Sequence, residues 1–306
     1  MIKIKSIFPN NEKERELIKF IGKYQYIASK DTAYFFDDTY YLKRITKLVK
    51  SGMLRRYKRY LVLGVYGHDF IKLEGMKSQS LVYRNKYADR LKFMSHLAAL
   101  YNKDKYISFI PSFEMKDKVV FTETARKYIG VLNIFGTKYL TYHISGEHTK
   151  QYINSVIYDL QKEMKYKNVI VLVDDLTRIN ISDFAFGLNS VIICKDSDEE
   201  LNKLKYLHQI NWKDFIEQEY NTKVILSEYN FCEYVGENQK YFTPFFFIDG
   251  EKINRIDTFL RNNKNKKINV ICNEAIISYL GKEIPLSNFK VMDINDYIEK
   301  DIKVYE

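Results

Sequence analysis

Basic and aromatic side chains crowd one stretch of the chain, residues 37–64, which reads DDTYYLKRITKLVKSGMLRRYKRYLVLG. Tyr40, Lys43, Arg44 and Lys47 recur at a spacing that places them along one side of a helix, and Arg55, Arg56, Lys58 and Arg59 follow within a few residues. Such side chains suit a polyanion. Lysine and arginine release counterions condensed on a nucleic acid, and arginine forks and aromatic rings add contacts to phosphates and base edges. The charge balance agrees. The formal net charge of the 306-residue chain is +10, and residues 1–77 hold 17 Lys and Arg against 8 Asp and Glu, leaving 32 against 31 for the rest. Nearly all the positive excess sits in the first quarter of the sequence, which is the electrostatic footprint expected of a module that meets phosphate.

Other candidate chemistry is weaker. Glu114-Met115-Lys116 has the E-x-K spacing of metal-dependent nucleases, with Asp89 or Asp104 as a conceivable second carboxylate, but no fuller cluster accompanies it. Residues 130–138, GVLNIFGTK, depart from a phosphate-binding loop in both spacing and order. Asp174-Asp175 closes the apolar run VIVLVDD, where it would suit Mg²⁺ only beside such a loop. His143 and His148 have no cysteine next to them, which argues against zinc, and no G-x-S-x-G nucleophile motif occurs. No catalytic residue, metal ligand or cofactor is therefore assigned. Cys194, Cys232 and Cys272 are odd in number and widely spaced, as buried thiols in a reducing compartment would be. No apolar stretch approaches a membrane span, so a cytoplasmic protein without a membrane partner is expected.

The elements that must position the basic stretch follow from periodicity. Alternation at residues 2–7 suggests a strand. Leu17, Phe20, Ile21 and Tyr24 then recur as one face of a helix opening at Glu12, and residues 29–32 cap a short second helix carrying Ala33, Tyr34 and Phe36. A third helix over residues 39–51 is expected to bury Leu42, Ile45, Leu48 and Val49 and to present Tyr40, Lys43, Arg44, Lys47 and Lys50 outward, until Gly52 stops it. MLRRYKRYLVLG then alternates as a hairpin with Lys58-Arg59 near its tip.

This order resembles a winged-helix DNA-binding domain over residues 12–75. The phrases TYYLKRITKLVKSGMLRRYKRYLVLGVYG and HDFIKLEG are similar to the recognition helix, Gly stop, L-R-R wing and second strand of winged-helix proteins from bacterial mobile elements, including the replication-relaxation type. The wing is unusually rich in tyrosine. The resemblance implies a helix lying in the major groove, a basic wing on the backbone or in the minor groove, and a role in replication, mobilisation or transcriptional control of a plasmid, phage or other mobile element.

After a polar linker at 76–80, an apolar stripe over residues 85–101 reads as a core or dimer helix. The runs YISFI, VVFTET, IGVLNIFG and KYLTYHIS read as strands, residues 148–164 as a helix and VIVLVDD as a buried parallel strand, an order that resembles the core of restriction-endonuclease-like folds. At the place where that core carries its acid and lysine, Thr141, Tyr142 and His143 stand instead. Alternating strands and helices continue to the end. The expected architecture is α/β overall, with a winged helix-turn-helix at residues 1–77, an α/β domain resembling a degenerate nuclease at 78–180, and an α/β region at 181–306 continuous with it, built on a mixed sheet. The expected partners are double-stranded DNA, a second copy of the chain in a homo-oligomer (a dimer), and a protein docked on the α/β region. The rival expectations are a metal-dependent nuclease or nicking enzyme delivered by the winged helix, and a ligand-sensing regulator.

Overall fold

The computed structural model describes residues 9, 11–36, 38–77, 81–82, 86–115, 127–146, 148–162, 166–184, 188–272 and 274–291. The strands expected at 2–7 and 119–124 lie outside these residues. The protein is mixed α/β and forms two compact units, Met1–Lys118 and Val119–Glu306. No helix among the described residues is long and apolar enough to cross a membrane.

In the first unit, α1 (Glu12–Tyr24) begins where the Asn11 side chain accepts the Lys13 amide at 2.9 Å. Glu12 and Glu14 in its first turn and Lys23 in its last complement the helix dipole, and Leu17, Ile18 and Ile21 are fully buried. The chain continues through β1 (Ile27–Ala28), a 3₁₀ helix (Asp31–Phe35), α2 (Tyr41–Lys50), β2 (Leu54–Tyr57), β3 (Tyr60–Leu63) and α3 (Val65–Leu73). The short second helix is thus a 3₁₀ turn. The strands form an antiparallel sheet in the order β1-β3-β2, with Ile27 opposite Leu61 and Arg55 opposite Val62. One core, including Leu17, Ile21, Phe35, Ile45, Leu48 and Phe70, joins the helices to this sheet.

α4 (Lys86–Leu100) belongs to the same unit, followed by β4 (Ile107–Pro111). It is a core helix: Leu91, Met94 and Leu97 are buried, the Ser95 hydroxyl donates to the Tyr26 carbonyl, and His96 Nδ1 lies 3.0 Å from the buried Asp31 carboxylate. A correction concerns α2. It buries Ile45 and Leu48 and half-buries Val49, but Leu42, expected beside them, is 57% exposed.

In the second unit, β5 (Gly130–Ile134) and β6 (Thr137–Ile144) make a hairpin closed by Phe135 and Gly136, both at positive φ (49° and 82°). Two central residues in that region are what a type I′ turn requires, so GVLNIFGTK is β5, a tight turn at Phe135-Gly136 and the start of β6. Next come α5 (Lys150–Lys162), β7 (Asn168–Val173), β8 (Ser190–Lys195), α6 (Asp198–Lys203), α7 (Trp212–Tyr220), β9 (Val224–Leu226), β10 (Tyr234–Gly236), β11 (Tyr241–Phe245) and β12 (Ile248–Asp249). α8 (Gly250–Asn262), β13 (Ile268–Cys272), α9 (Glu274–Glu283) and β14 (Asn288–Val291) complete it. β6, β7 and β8 run parallel, with β12 antiparallel on β8; Val169 to Val173 are all fully buried, which accounts for the unbroken apolar run of β7. A second sheet has the order β14-β13-β11-β10-β9, parallel across β11, β13 and β14 and antiparallel across β9, β10 and β11. Both sheets of this unit are mixed, as expected for the α/β region.

Candidate nucleic-acid interface

α2 starts at a turn in which Asp38 Oδ1 accepts the Tyr40 amide at 2.9 Å, and it ends at Gly52, whose φ of +75° is the left-handed conformation that halts a helix. With Ile45 and Leu48 anchored in the core, the period of the helix turns Lys43, Thr46, Lys47 and Lys50 outward, and all are exposed together with Tyr40. Lys43 Nζ lies 4.8 Å over the Tyr40 ring. Arg44 is set apart from these residues. Its guanidinium lies 3.1 Å from Asp38 Oδ2, 3.8 Å from Glu14 Oε1 and 5.9 Å over the Phe36 ring, facing its own fold.

The β2–β3 hairpin carries the other four cations. Arg55 and Arg56 are neighbours on a strand, so they project to opposite faces, and both are exposed. Lys58 and Arg59 form the turn, with Lys58 at a positive φ of 53°. Arg59 Nε donates to the Tyr60 hydroxyl at 3.2 Å, while the Arg59 carbonyl accepts the Ser29 amide at 3.0 Å, which ties the tip of the hairpin to the end of β1. α4 adds a cation that sequence reading missed: Lys92 Nζ lies 5.2 Å from the centroid of the Tyr60 ring and 5.5 Å from that of Tyr26. It was hidden because it joins the hairpin only through tertiary packing.

The hairpin is fixed against α2 at a close backbone approach. A Cβ on Gly64 would stand 2.2 Å from the Gly52 carbonyl oxygen, and the Gly64 amide donates to the Met53 carbonyl at 2.8 Å. Only a residue without a side chain fits there. Beside it on α3, His68 has its pKa lowered, first by burial and then by the charges of Lys72 and Arg55, with Asp69 opposing them.

The residues proposed for metal-dependent cleavage are engaged elsewhere. Glu114, in a 3₁₀ helix (Ser112–Glu114), is ion-paired with Lys23, Asp89 pairs with Lys92 at 2.7 Å, and Asp104 accepts the amides of Tyr106 and Ile107. Lys116 lies outside the described residues. In the second unit, the carboxyl ends of β6, β7 and β8 gather polar side chains from distant parts of the sequence. His143 Nε2 lies 3.0 Å from Asp196 Oδ2, and the Ser145 amide donates to His148 Nδ1 at 2.8 Å, which leaves the His148 proton on Nε2. Arg178 donates to the Ser145 and His148 carbonyls, and its guanidinium stands 3.7 Å from Asp174. These bonds pin the loop after β6. Among the described residues no three His, Cys, Asp or Glu side chains are grouped to hold a metal. The cysteines are buried thiols, and burial raises the pKa of all three, to about 12 for Cys232 and about 11 for Cys272.

No protein-family model matches the chain, and no match to it was found among curated proteins or solved structures.

Proposed function

We propose that residues 12–75 are a winged helix-turn-helix that binds double-stranded DNA, with α2 in the major groove and the β2–β3 hairpin as the wing. The observation that carries this reading is the succession of exposed cations on two consecutive elements: Lys43, Lys47 and Lys50 on the outer face of α2, then Arg55, Arg56, Lys58 and Arg59 on the hairpin. The element order supports it. A helix, a strand, a short helix, a second helix and a hairpin whose inner strand pairs with the first strand is the arrangement of that module.

The two parts have separate tasks in this reading. α2 meets base edges and selects sequence; the wing and the lysines bind phosphate and set affinity. The larger α/β unit is assigned to self-association or to docking a protein partner, and a dimer would place two helices on successive half-sites. The likeness to winged-helix proteins of mobile elements extends the proposal to replication, mobilisation or transcriptional control of such an element.

The test is a titration of the full-length protein with duplex DNA, read by fluorescence anisotropy over a range of salt. Binding should weaken steeply with salt, and changing Arg55, Arg56, Lys58 and Arg59 together to Ala should reduce the slope of log K against log salt by about 0.9 for each phosphate that is no longer neutralised. Unchanged affinity and slope in that variant would rule the reading out.

A further inference from the structure

Resting on the DNA-binding reading, we infer that Leu42 determines specificity: with Thr46 it contacts thymine C5-methyl groups in the major groove, so the preferred site is an A·T-containing sequence with thymines at the positions that α2 covers. The argument begins with what α2 exposes. Its exposed positions are Leu42, Lys43, Thr46, Lys47 and Lys50, preceded by Tyr40. The arginine of the helix is turned away to Asp38 and Glu14.

Each base pair offers the major groove a distinct set of groups. Guanine is read best by an arginine fork, adenine by Asn or Gln, cytosine by a carboxylate and thymine by an apolar contact with its methyl group. None of the exposed positions of α2 is Arg, Asn, Gln, Asp or Glu. Lysine serves guanine or phosphate. Leu42 has only the thymine methyl as a complementary surface, and Thr46 adds a methyl group of its own to that surface.

A lone exposed leucine means little by itself. This one has a defined neighbour and a defined place. Leu42 lies in the first turn of α2, and in a helix-turn-helix the N-terminal residues of the second helix are the ones that reach base edges. Thr46 is one turn further on, at the spacing that brings two side chains together. Its hydroxyl donates to the Leu42 carbonyl at 2.8 Å, so that proton is committed to the helix backbone and the methyl group remains for contact. The two side chains thus make an apolar pair flanked by Lys43 and Lys47.

The experiment uses the full-length protein. A random-sequence duplex pool is put through rounds of binding selection, and the preferred duplex is then made in two forms, one with thymine and one with uracil, which differ only in the methyl group. Wild-type protein should bind the thymine form roughly three- to fivefold more tightly for each methyl buried. Leu42→Ala should lose the greater part of that preference, and Leu42→Ala combined with Thr46→Ser, which removes the second methyl and keeps the hydroxyl, should bind the two forms equally; both side chains are exposed, so the melting temperature should be kept. Equal binding of both forms by the wild type, an undiminished preference in Leu42→Ala, or retention of the pool without any sequence preference would each overturn the inference and leave DNA binding standing. Failure to retain any duplex would overturn the DNA-binding reading and this inference with it.

Discussion

The Arg44 guanidinium meets the Asp38 carboxylate at 3.1 Å, closing the turn that leads into the helix on which Arg44 itself lies. Glu14 stands 3.8 Å away on α1 and is only 5% exposed, so Arg44 also neutralises a carboxylate that water scarcely reaches. Arg44→Ala is therefore expected to act on stability, by about 1–2 kcal/mol, between the small value of an exposed ion pair and the larger value of a buried one. Urea unfolding measures that loss. In anisotropy titrations well below the melting temperature, Arg44→Ala should weaken DNA binding less than Lys43→Ala or Lys47→Ala. The opposite ranking would make Arg44 a base reader after all.

That arginine marks where the sequence stops being informative. Its spacing puts it with Lys43 and Lys47, and nothing local distinguishes the three; the difference comes from Glu14 on another helix and Asp38 across a turn. Leu42 misled for the converse reason. Period alone groups it with Ile45 and Leu48, but the first turn of α2 leaves it exposed. Elements with strong local signals were legible: α1 has its apolar stripe, β7 its unbroken apolar run, and β5 and β6 lie within runs that read as strands, although Phe135 and Gly136, counted in the first of these runs, form the turn between them. β10 was not foreseen, being three residues long and ending in glycine. The pairing of His143 with Asp196 joins residues 53 apart, and only the parallel order of β6, β7 and β8 brings them together.

Lys58 allows stability and binding to be separated. Its φ of 53° is a conformation that costs an ordinary residue roughly 1 kcal/mol and that Asn or Gly adopts more readily. Lys58→Asn should leave the unit as stable or raise its stability by up to about 1 kcal/mol. The same change removes a charge from the β2–β3 hairpin, so affinity for selected and random duplexes should fall by similar factors, with the salt slope lower by about 1. A variant that is stabler yet binds more weakly would locate Lys58 at the phosphates; unchanged affinity would remove it from the interface.

His68 predicts a pH dependence with a definite sign. Burial, Lys72 and Arg55 together hold its folded-state pKa below the ordinary value near 6.5. The unfolded chain therefore takes up the proton first as pH falls, and stability is lost as the pH drops through about 6.5 toward the lower folded value. Above that range the contribution is fully present. Melting temperatures measured from pH 7.5 down to 5 should decline less steeply in His68→Gln than in the wild type. Parallel curves would show that His68 titrates alike in the folded and unfolded chain.

Gly64 tests whether the hairpin must be seated against α2. Its backbone angles, φ −87° and ψ −179°, suit any residue, so alanine would suffer from contact alone, with its Cβ 2.2 Å from the Gly52 carbonyl oxygen. That oxygen is backbone and already accepts the Tyr66 amide at 3.2 Å, so it cannot yield without moving the end of α2 or the start of α3. Gly64→Ala should cost more than about 2 kcal/mol. Gly52→Ala is the useful comparison: it incurs a left-handed φ, about 1 kcal/mol, and a 3.0 Å contact with the Tyr66 ring, which is a side chain and able to shift. Urea unfolding should rank Gly64→Ala as the more damaging. If it does, Gly64→Ala should also weaken the proposed DNA binding although every charge remains, because the β2–β3 hairpin and α2 would no longer be held at one fixed spacing. A Gly64→Ala protein with wild-type affinity for duplex DNA would mean that α2 and the hairpin need no fixed spacing for binding.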